Sequence, residues 1–442
     1  MRRSTRRDVT GVLLGAGLLA AGGAAQAANW LMLQGTEPPD AGARARVWGF
    51  IQPEFQSTDG SKLPAGPWKG QKAVFNQIGP DLESSSQFNI RRARLGVRGT
   101  AFPLDNRVNY FFLVEAGRNG ITKFGDAVSL TDASITLNHI KYARLRVGQF
   151  KYPGSEEGLQ AIHVFDYINF TNVTNFLMLE RFFDSDGSVP GMDPNKPNGS
   201  VGAFRDLGIQ LFDTLHVGDW EHSYAFMIGN GNGINRGNDN GKYNYYVYLS
   251  SEKVFGGKGP RRQGWKLYGW FQTGQRTLRA GPDQEKQDFD RTRWGFGSTF
   301  RKDKWRAGAE VIFADGMIFN GTDGAAVPGS LNNKGTAVAS WNVLPEDKAW
   351  GFYVDLGYRV HPKVELDIRY DYLDRATETD ANERVFQTVT FGAQYFFNKK
   401  VRMLVNYELR MADAPQLDGS SVPNRILDEM DNRLSAQVLA VF

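Results

Sequence analysis

The 442 residues carry 52 Lys and Arg against 48 Asp and Glu, a formal charge of +4 that leaves no basic tail or patch suited to nucleic acid. There is no Cys, which excludes disulfides and thiolate metal sites. Mean hydropathy is −0.42 and, beyond the N-terminus, no apolar run approaches the ~18 residues of a membrane-spanning helix. The 30 Phe, 16 Tyr, 10 Trp and 50 Gly suit an all-β chain, either a soluble sandwich or a transmembrane barrel.

Arg2, Arg3, Arg6 and Arg7 precede a Gly/Ala/Leu-rich stretch from Val9 to Ala25, and Ala25-Gln26-Ala27 supplies a small-x-small cleavage signal. Residues 1–27 therefore read as a signal peptide. Arg6-Arg7 is taken as part of an ordinary basic leader, because a barrel must be exported unfolded. Cleavage would remove four Arg and Asp8, bringing the chain near +1, so the pI of 9.0 says little about partners. Residues 28–45 form a lead-in without clear period.

Period-two alternation, the mark of a strand with two unlike faces, starts at 46–56, with Val47, Ile51 and Phe55 against Gln52 and Glu54. It recurs at 88–100, 106–115, 130–139, 143–150, 204–213, 219–229, 242–251, 262–273, 291–301 and 304–313. It is cleanest at 350–360, 363–373, 384–397, 401–411 and 432–442. The last of these sets Leu434, Ala436, Val438, Ala440 and the terminal Phe442 on one wholly apolar face. This makes sixteen candidate strands, most near the ~9–11 residues of a tilted membrane strand. Connections after even strands are short, such as 101–105, 140–142, 302–303 and 361–362. Those after odd strands are long, notably 57–87, 151–203, 274–290 and 314–349. A soluble sandwich has no reason to sort loops by parity, whereas an outer-membrane barrel does. The expected fold is a 16-stranded antiparallel transmembrane β-barrel over residues 46–442, in the bacterial outer membrane.

No catalytic set is legible. His139, His163, His216, His222 and His361 are scattered without an HExxH spacing, and Asp184-Ser185-Asp186-Gly187 lacks the later Glu of a calcium loop. No metal or cofactor is expected. The informative residues are those on the wetted face, because sixteen strands enclose a lumen too wide for side chains to fill. Arg92, Arg94, Arg98, Arg107, Arg144 and Arg146 cluster on the second, third and fifth strands. Asp355, Glu365, Asp367 and Asp371 lie well around the wall, so a transverse field is expected between the two arcs. Guanidinium forks suit phosphate and carboxylate oxygens, which makes the basic arc an anion track.

Arg91-Arg92-Ala93-Arg94-Leu95-Gly96-Val97-Arg98-Gly99, Leu130-Thr131-Asp132-Ala133, Leu145-Arg146-Val147-Gly148-Gln149-Phe150-Lys151-Tyr152-Pro153 and Leu179-Glu180-Arg181 resemble, in order and spacing, the phosphate-selective porins O and P. The terminal Phe442 is likewise similar to the closing residue of outer-membrane barrels. The resemblance implies a homotrimer whose long third external loop, here 151–203, folds into the lumen and narrows it. It also implies a basic-track role for Arg92, Arg94, Arg98, Arg144 and Arg146. Lys151, Glu156, Glu157, Glu180, Arg181, Asp184 and Asp186 are the loop's charged candidates, of which Lys151 and Arg181 join the anion-binding set. The loop departs from the family in holding more acidic residues than Lys. The expected function is a passive porin for small hydrophilic solutes with a preference for anions such as phosphate. A general diffusion porin and a barrel enzyme are the alternatives, and the enzyme would need a Ser/His/acid set that is not visible here.

Overall fold

The structure is a computed structural model, and it describes residues 29–37, 45–75, 85–117, 128–179, 181–189, 195–198, 203–257, 259–322 and 324–442. The expected signal peptide and Glu180 lie outside the described residues. In chain order the strands are β1 Arg46–Thr58, β2 Ser86–Ala101, β3 Asp105–Glu115, β4 Ser129–Leu137, β5 Arg144–Lys151, β6 Arg205–Val217, β7 Trp220–Gly229, β8 Asn244–Gly256 and β9 Gln263–Ala280. They continue as β10 Glu285–Lys302, β11 Trp305–Asp315, β12 Ile318–Gly321, β13 Asn342–Leu344, β14 Lys348–His361, β15 Val364–Arg375, β16 Arg384–Phe396, β17 Val401–Asp413 and β18 Arg433–Val441. The short helices among the described residues are α1 Trp30–Leu33, α2 Glu156–Leu159, α3 Asn172–Leu177 and α4 Val422–Leu427.

Sixteen of these strands close a single antiparallel barrel in sequential order, β1 pairing with both β2 and β18, while β12 and β13 form a separate two-stranded sheet. All sixteen expected strands are present. Burial is inverted relative to a soluble protein. Leu95, Val147, Leu249, Phe296, Leu356, Ile368, Phe391 and Leu434 are exposed, while Arg91, Glu115, Arg146, Gln272, Glu310, Arg369 and Ser435 are almost wholly buried. Only a wall that meets lipid outside and polar groups inside produces that pattern.

Phe442 extends the β1–β18 ladder that closes the barrel, which runs from Phe50 opposite Val441 to Thr58 opposite Arg433. Phe442 N–H donates to the Gly49 carbonyl at 3.0 Å and Gly49 N–H to the Phe442 carbonyl at 3.3 Å. A Cβ at Gly49 would lie 2.4 Å from the Arg94 carbonyl oxygen and 2.6 Å from the Phe442 ring, so only glycine lets strand and ring meet.

Short and long connections alternate as expected, with one difference. The expected long loop 274–290 is largely strand, because β9 and β10 run on to a tight turn at 281–284. Polar residues occupy both faces there, which hides the period, yet the ladder continues and side chains bond across it. Gln275 Nε2 donates to Asp290 Oδ1 at 2.8 Å, and Thr277 Oγ1 to Asp288 Oδ1 at 2.5 Å. The β12–β13 pair inside the expected loop 314–349 is a second element without a sequence signal.

Two bulges re-aim side chains toward the lumen. The β1–β2 register shifts between Gln52 and Pro53, and Arg91 and Arg92 are both buried in consequence. Proline cannot donate to the ladder, and a bulge is where a strand tolerates it. A second shift, between Leu113 and Val114, leaves Thr131 and Asp132 both inward.

Candidate functional site in the barrel lumen

Among the described residues, segments outside the barrel strands meet the inward faces of the wall. The connection between β5 and β6 carries α2 and α3 and bonds to strands around the circumference. Asn169 Nδ2 donates to Glu408 Oε2 at 3.1 Å and to Ser435 Oγ at 3.3 Å, and Ile168 N–H donates to Asn406 Oδ1 at 2.7 Å. Asp371 accepts from the backbone and side chain of Asn172 at 2.9 and 2.8 Å. Glu157 takes Arg369 Nη1 at 3.1 Å on one oxygen, and Thr171 N–H and Oγ1 on the other at 3.1 and 2.7 Å. The segment 29–37 forms the second inner layer. Asn29 bonds to Thr214 and Ser223, Trp30 Nε1 donates to Glu156 Oε1 at 2.9 Å, and Glu37 N–H donates to Asn109 Oδ1 at 2.9 Å.

Together these segments bring Trp30, Leu31, Leu159, Phe165, Phe170 and Leu177 into the interior, in one apolar cluster with Phe50 of β1 and Phe150 of β5. The interior is therefore not the uniformly polar, water-filled lumen that strand alternation implies. The loop contributes apolar residues that no strand pattern reports.

A cavity of about 270 Å³ lies between β1–β5, the segment 29–37 and the loop, lined by Arg46, Arg94, Arg98, Lys151 and Arg205 with Asp132, Trp48, Phe50 and His163. Arg94 Nε donates to Glu115 Oε2 at 2.7 Å, and its guanidinium lies 5.7 Å from the Phe50 ring centre. Arg98 pairs with Glu37 and donates to the carbonyls of Leu33 and Thr36 at 3.1 and 2.7 Å. Lys151 donates to the carbonyls of Gly158 and Gln160 at 2.8 and 2.6 Å. Arg205 grips Asp132, with Nη2 2.9 Å from Oδ2. Burial, reinforced by Arg402, Lys151 and Arg94, pulls the His163 imidazole down to about 3.

The other expected track residues are placed differently. Arg92 is buried, does not line this cavity, and donates to Gln52 Oε1 at 3.1 Å. Arg144 pairs with Asp213. Arg146 donates to the Leu31 carbonyl at 3.0 Å and stacks on Phe212 at 4.3 Å, covered by the segment 29–37. Arg107 stands apart: it is exposed beside the 102–104 turn and pairs with Asp105 at 3.0 Å. Arg181 lies at another cavity, of about 320 Å³, with Arg236, Arg276, Arg279 and Lys286 against Asp184 and Asp239.

The acidic arc is not bare, so the expected transverse field is locally cancelled. Arg306 on β11 pairs with Asp355, with Asp367 at 2.7 Å and with Glu365 at 3.4 Å, and Arg359 takes Glu365 at 2.6 Å. The loop's Asp166 joins the same cluster. Burial alone would raise its pKa, but Arg261, Arg306, Arg301 and Arg402 together hold the carboxyl well below the usual range. Strict alternation from Trp305 would have marked Arg306 and Glu310 as inward. Asp166 and the segment 29–37 had no periodic signal.

No curated protein matches the chain. Among solved structures, a loop-deletion variant of OmpT, an outer membrane protein of Vibrio cholerae, aligns at 11% identity over 91% of this chain and 100% of its own, with a TM-score of 0.53. An anion-selective porin from Comamonas acidovorans aligns at 12% over 90% and 99%, TM-score 0.52. Salmonella typhi OmpF, in complex with daunomycin, aligns at 12% over 91% and 98%, TM-score 0.54. These likenesses establish the porin fold. The family model described as phosphate-selective porin O and P matches residues 73–182, a span that holds all four motifs from Arg91–Gly99 to Leu179–Arg181. On that match, the chain is similar to the phosphate-selective porins O and P, carried on a closed sixteen-stranded outer-membrane-porin barrel.

Proposed function

We propose that the protein is a passive outer-membrane channel for small hydrophilic solutes, selective for anions, assembled as a homotrimer after export by residues 1–27. The observation that carries the reading is the cavity lined by Arg46, Arg94, Arg98, Lys151 and Arg205, five cations that share three carboxylates, the lining Asp132 and the partners Glu37 and Glu115. That excess of cations favours anion entry, and the confined lumen strengthens its field relative to open water. The second basic cavity, with Arg181, Arg236, Arg276, Arg279 and Lys286, suits electrostatic capture of the same solutes. The acidic residues that distinguish the loop do not oppose this. Glu156 is paired with Lys266 at 2.6 Å, Glu157 with Arg369 and Asp166 with four arginines, so little uncompensated negative field remains. The loop, bonded to β1, β15, β17 and β18, acts as the constriction. The family match and the porin fold favour a channel over an enzyme.

The test is the zero-current potential of purified protein in a planar bilayer under a KCl gradient, repeated with phosphate replacing chloride. A potential of the sign set by anions, and measurable phosphate current, are expected. A cation-selective channel would defeat the proposal.

A further inference from the structure

Asp166 is met by donors from five separate elements. Arg261 Nη2 lies 2.5 Å from Oδ1 and Arg402 Nη1 3.6 Å from it. Arg306 Nε and Arg301 Nη2 lie 3.1 and 3.3 Å from Oδ2. Gln394 Nε2 adds a donor at 3.3 Å to Oδ1. The arginines come from the β8–β9 turn, β10, β11 and β17, so the barrel wall converges on one carboxylate delivered by the loop. The same guanidinium groups hold the loop backbone. Arg402 donates to the His163 and Phe165 carbonyls at 3.3 and 2.5 Å, and Arg261 to the Val164 carbonyl at 3.3 Å.

We propose that this cluster is an oxyanion-binding site on the solute path, filled by the chain's own Asp166 when the loop is docked, and taking phosphate or a small carboxylate when the loop is displaced. Among the described residues, Asp166 is the only carboxylate paired with Arg301. The adjoining cavity of about 110 Å³ balances five lining cations against five carboxylates, Asp166 included. Withdrawing Asp166 leaves that lining net positive. An uncompensated guanidinium in a confined space is costly, so loop displacement and anion entry are coupled. Planar guanidinium forks set the ligand class: an anion with two or more oxygens in carboxylate or phosphate geometry fits better than chloride. The inference rests on the channel reading and adds a second site to it, apart from the basic cavity at β1–β5.

The experiment uses full-length protein in wild-type, Asp166→Asn and Asp166→Glu forms. At constant ionic strength, phosphate or acetate is titrated against chloride current in a bilayer. Removing the competing charge should let phosphate block at a concentration roughly tenfold lower in D166N, while D166E, which restores a carboxylate, stays near wild type. Equal block in D166N and wild type overturns the proposal. Acetate blocking like phosphate assigns the site to both classes; block by phosphate alone assigns it to phosphate. Hydrogen exchange on the wild type gives an answer that no folding defect can obscure. Phosphate, and not chloride, should raise deuterium uptake across residues 160–170, and unchanged uptake also overturns the proposal. The wild-type zero-current potential is read separately, so a failure of anion selectivity is distinguishable from a failure of this site.

Discussion

Glu157→Ala tests whether the loop is pinned in the lumen by buried charge. Glu157 and Arg369 are both almost fully buried, at 2% and 1% exposure. Arg369 Nη1 reaches Glu157 at 3.1 Å, its Nη2 donates to the Asn169 carbonyl at 3.1 Å, and its guanidinium lies 4.3 Å from the centre of the Tyr167 ring. Alanine would strip Arg369 of its carboxylate and Thr171 of its acceptor together. Removing one partner of a buried pair costs about 3–5 kcal/mol, and the two losses overlap because one carboxylate makes both sets of bonds. Applied to loop opening, even the lower figure is more than a hundredfold in the open population at 1.4 kcal/mol per tenfold. Hydrogen exchange over residues 157–177 in detergent should accelerate by that order, with a larger and noisier single-channel conductance. Glu157→Ala with Arg369→Met should recover most of the protection, because the orphaned charge is then gone. Unchanged exchange in the single variant, or no recovery in the double, would refute the reasoning.

Three further outcomes follow from the same geometry. His163 is held neutral by burial, with its pKa pulled down to about 3 from an ordinary 6.5. The displaced loop therefore binds more protons between those values, and docking weakens as pH falls from about 6.5 toward 3, by up to about 1.4 kcal/mol per unit. Exchange-derived opening free energies should show that slope, and His163→Phe, which fits beside Phe50 and Trp48 at 5.2 and 5.8 Å, should flatten it. Gly49→Ala should cost roughly 1–3 kcal/mol or abolish barrel closure, read from the urea midpoint of refolded protein, because its Cβ meets backbone and the Phe442 ring. Leu356→Arg, on the outward face, should cost about 2–4 kcal/mol in bilayer refolding. A neutral result there would mean that this face does not meet lipid.

The strands were legible because lipid and lumen impose opposite demands on successive residues. Leu366, Ile368 and Tyr370 against Glu365, Asp367 and Arg369 leave one arrangement open. Of the expected basic residues, Arg94, Arg98 and Lys151 line one cavity. Where alternation breaks, reading fails. The parity that sets Arg92 and Arg94 inward would put Arg91 on the outer face, and the register shift between Gln52 and Pro53 turns it in. The β9–β10 extension disappeared because both its faces are polar. Arg107 sat on the correct face but too near the strand end to reach the lumen.

The sequence by itself determined the closed barrel, its inside-out polarity and the parity of all its loops but the β9–β10 turn, since each follows from local period and from connection length. Charge partnership was decided only by the tertiary structure. Asp166 lies far in sequence from Arg261, Arg301, Arg306 and Arg402, and Glu157 is far from Arg369. Coulomb pairing falls off over a few ångströms, and closing the barrel around an inner loop sets distances that no pattern along the chain can encode. The same closure turned an apparent wall of opposed charge into paired clusters, and left the net cationic space beside β1–β5.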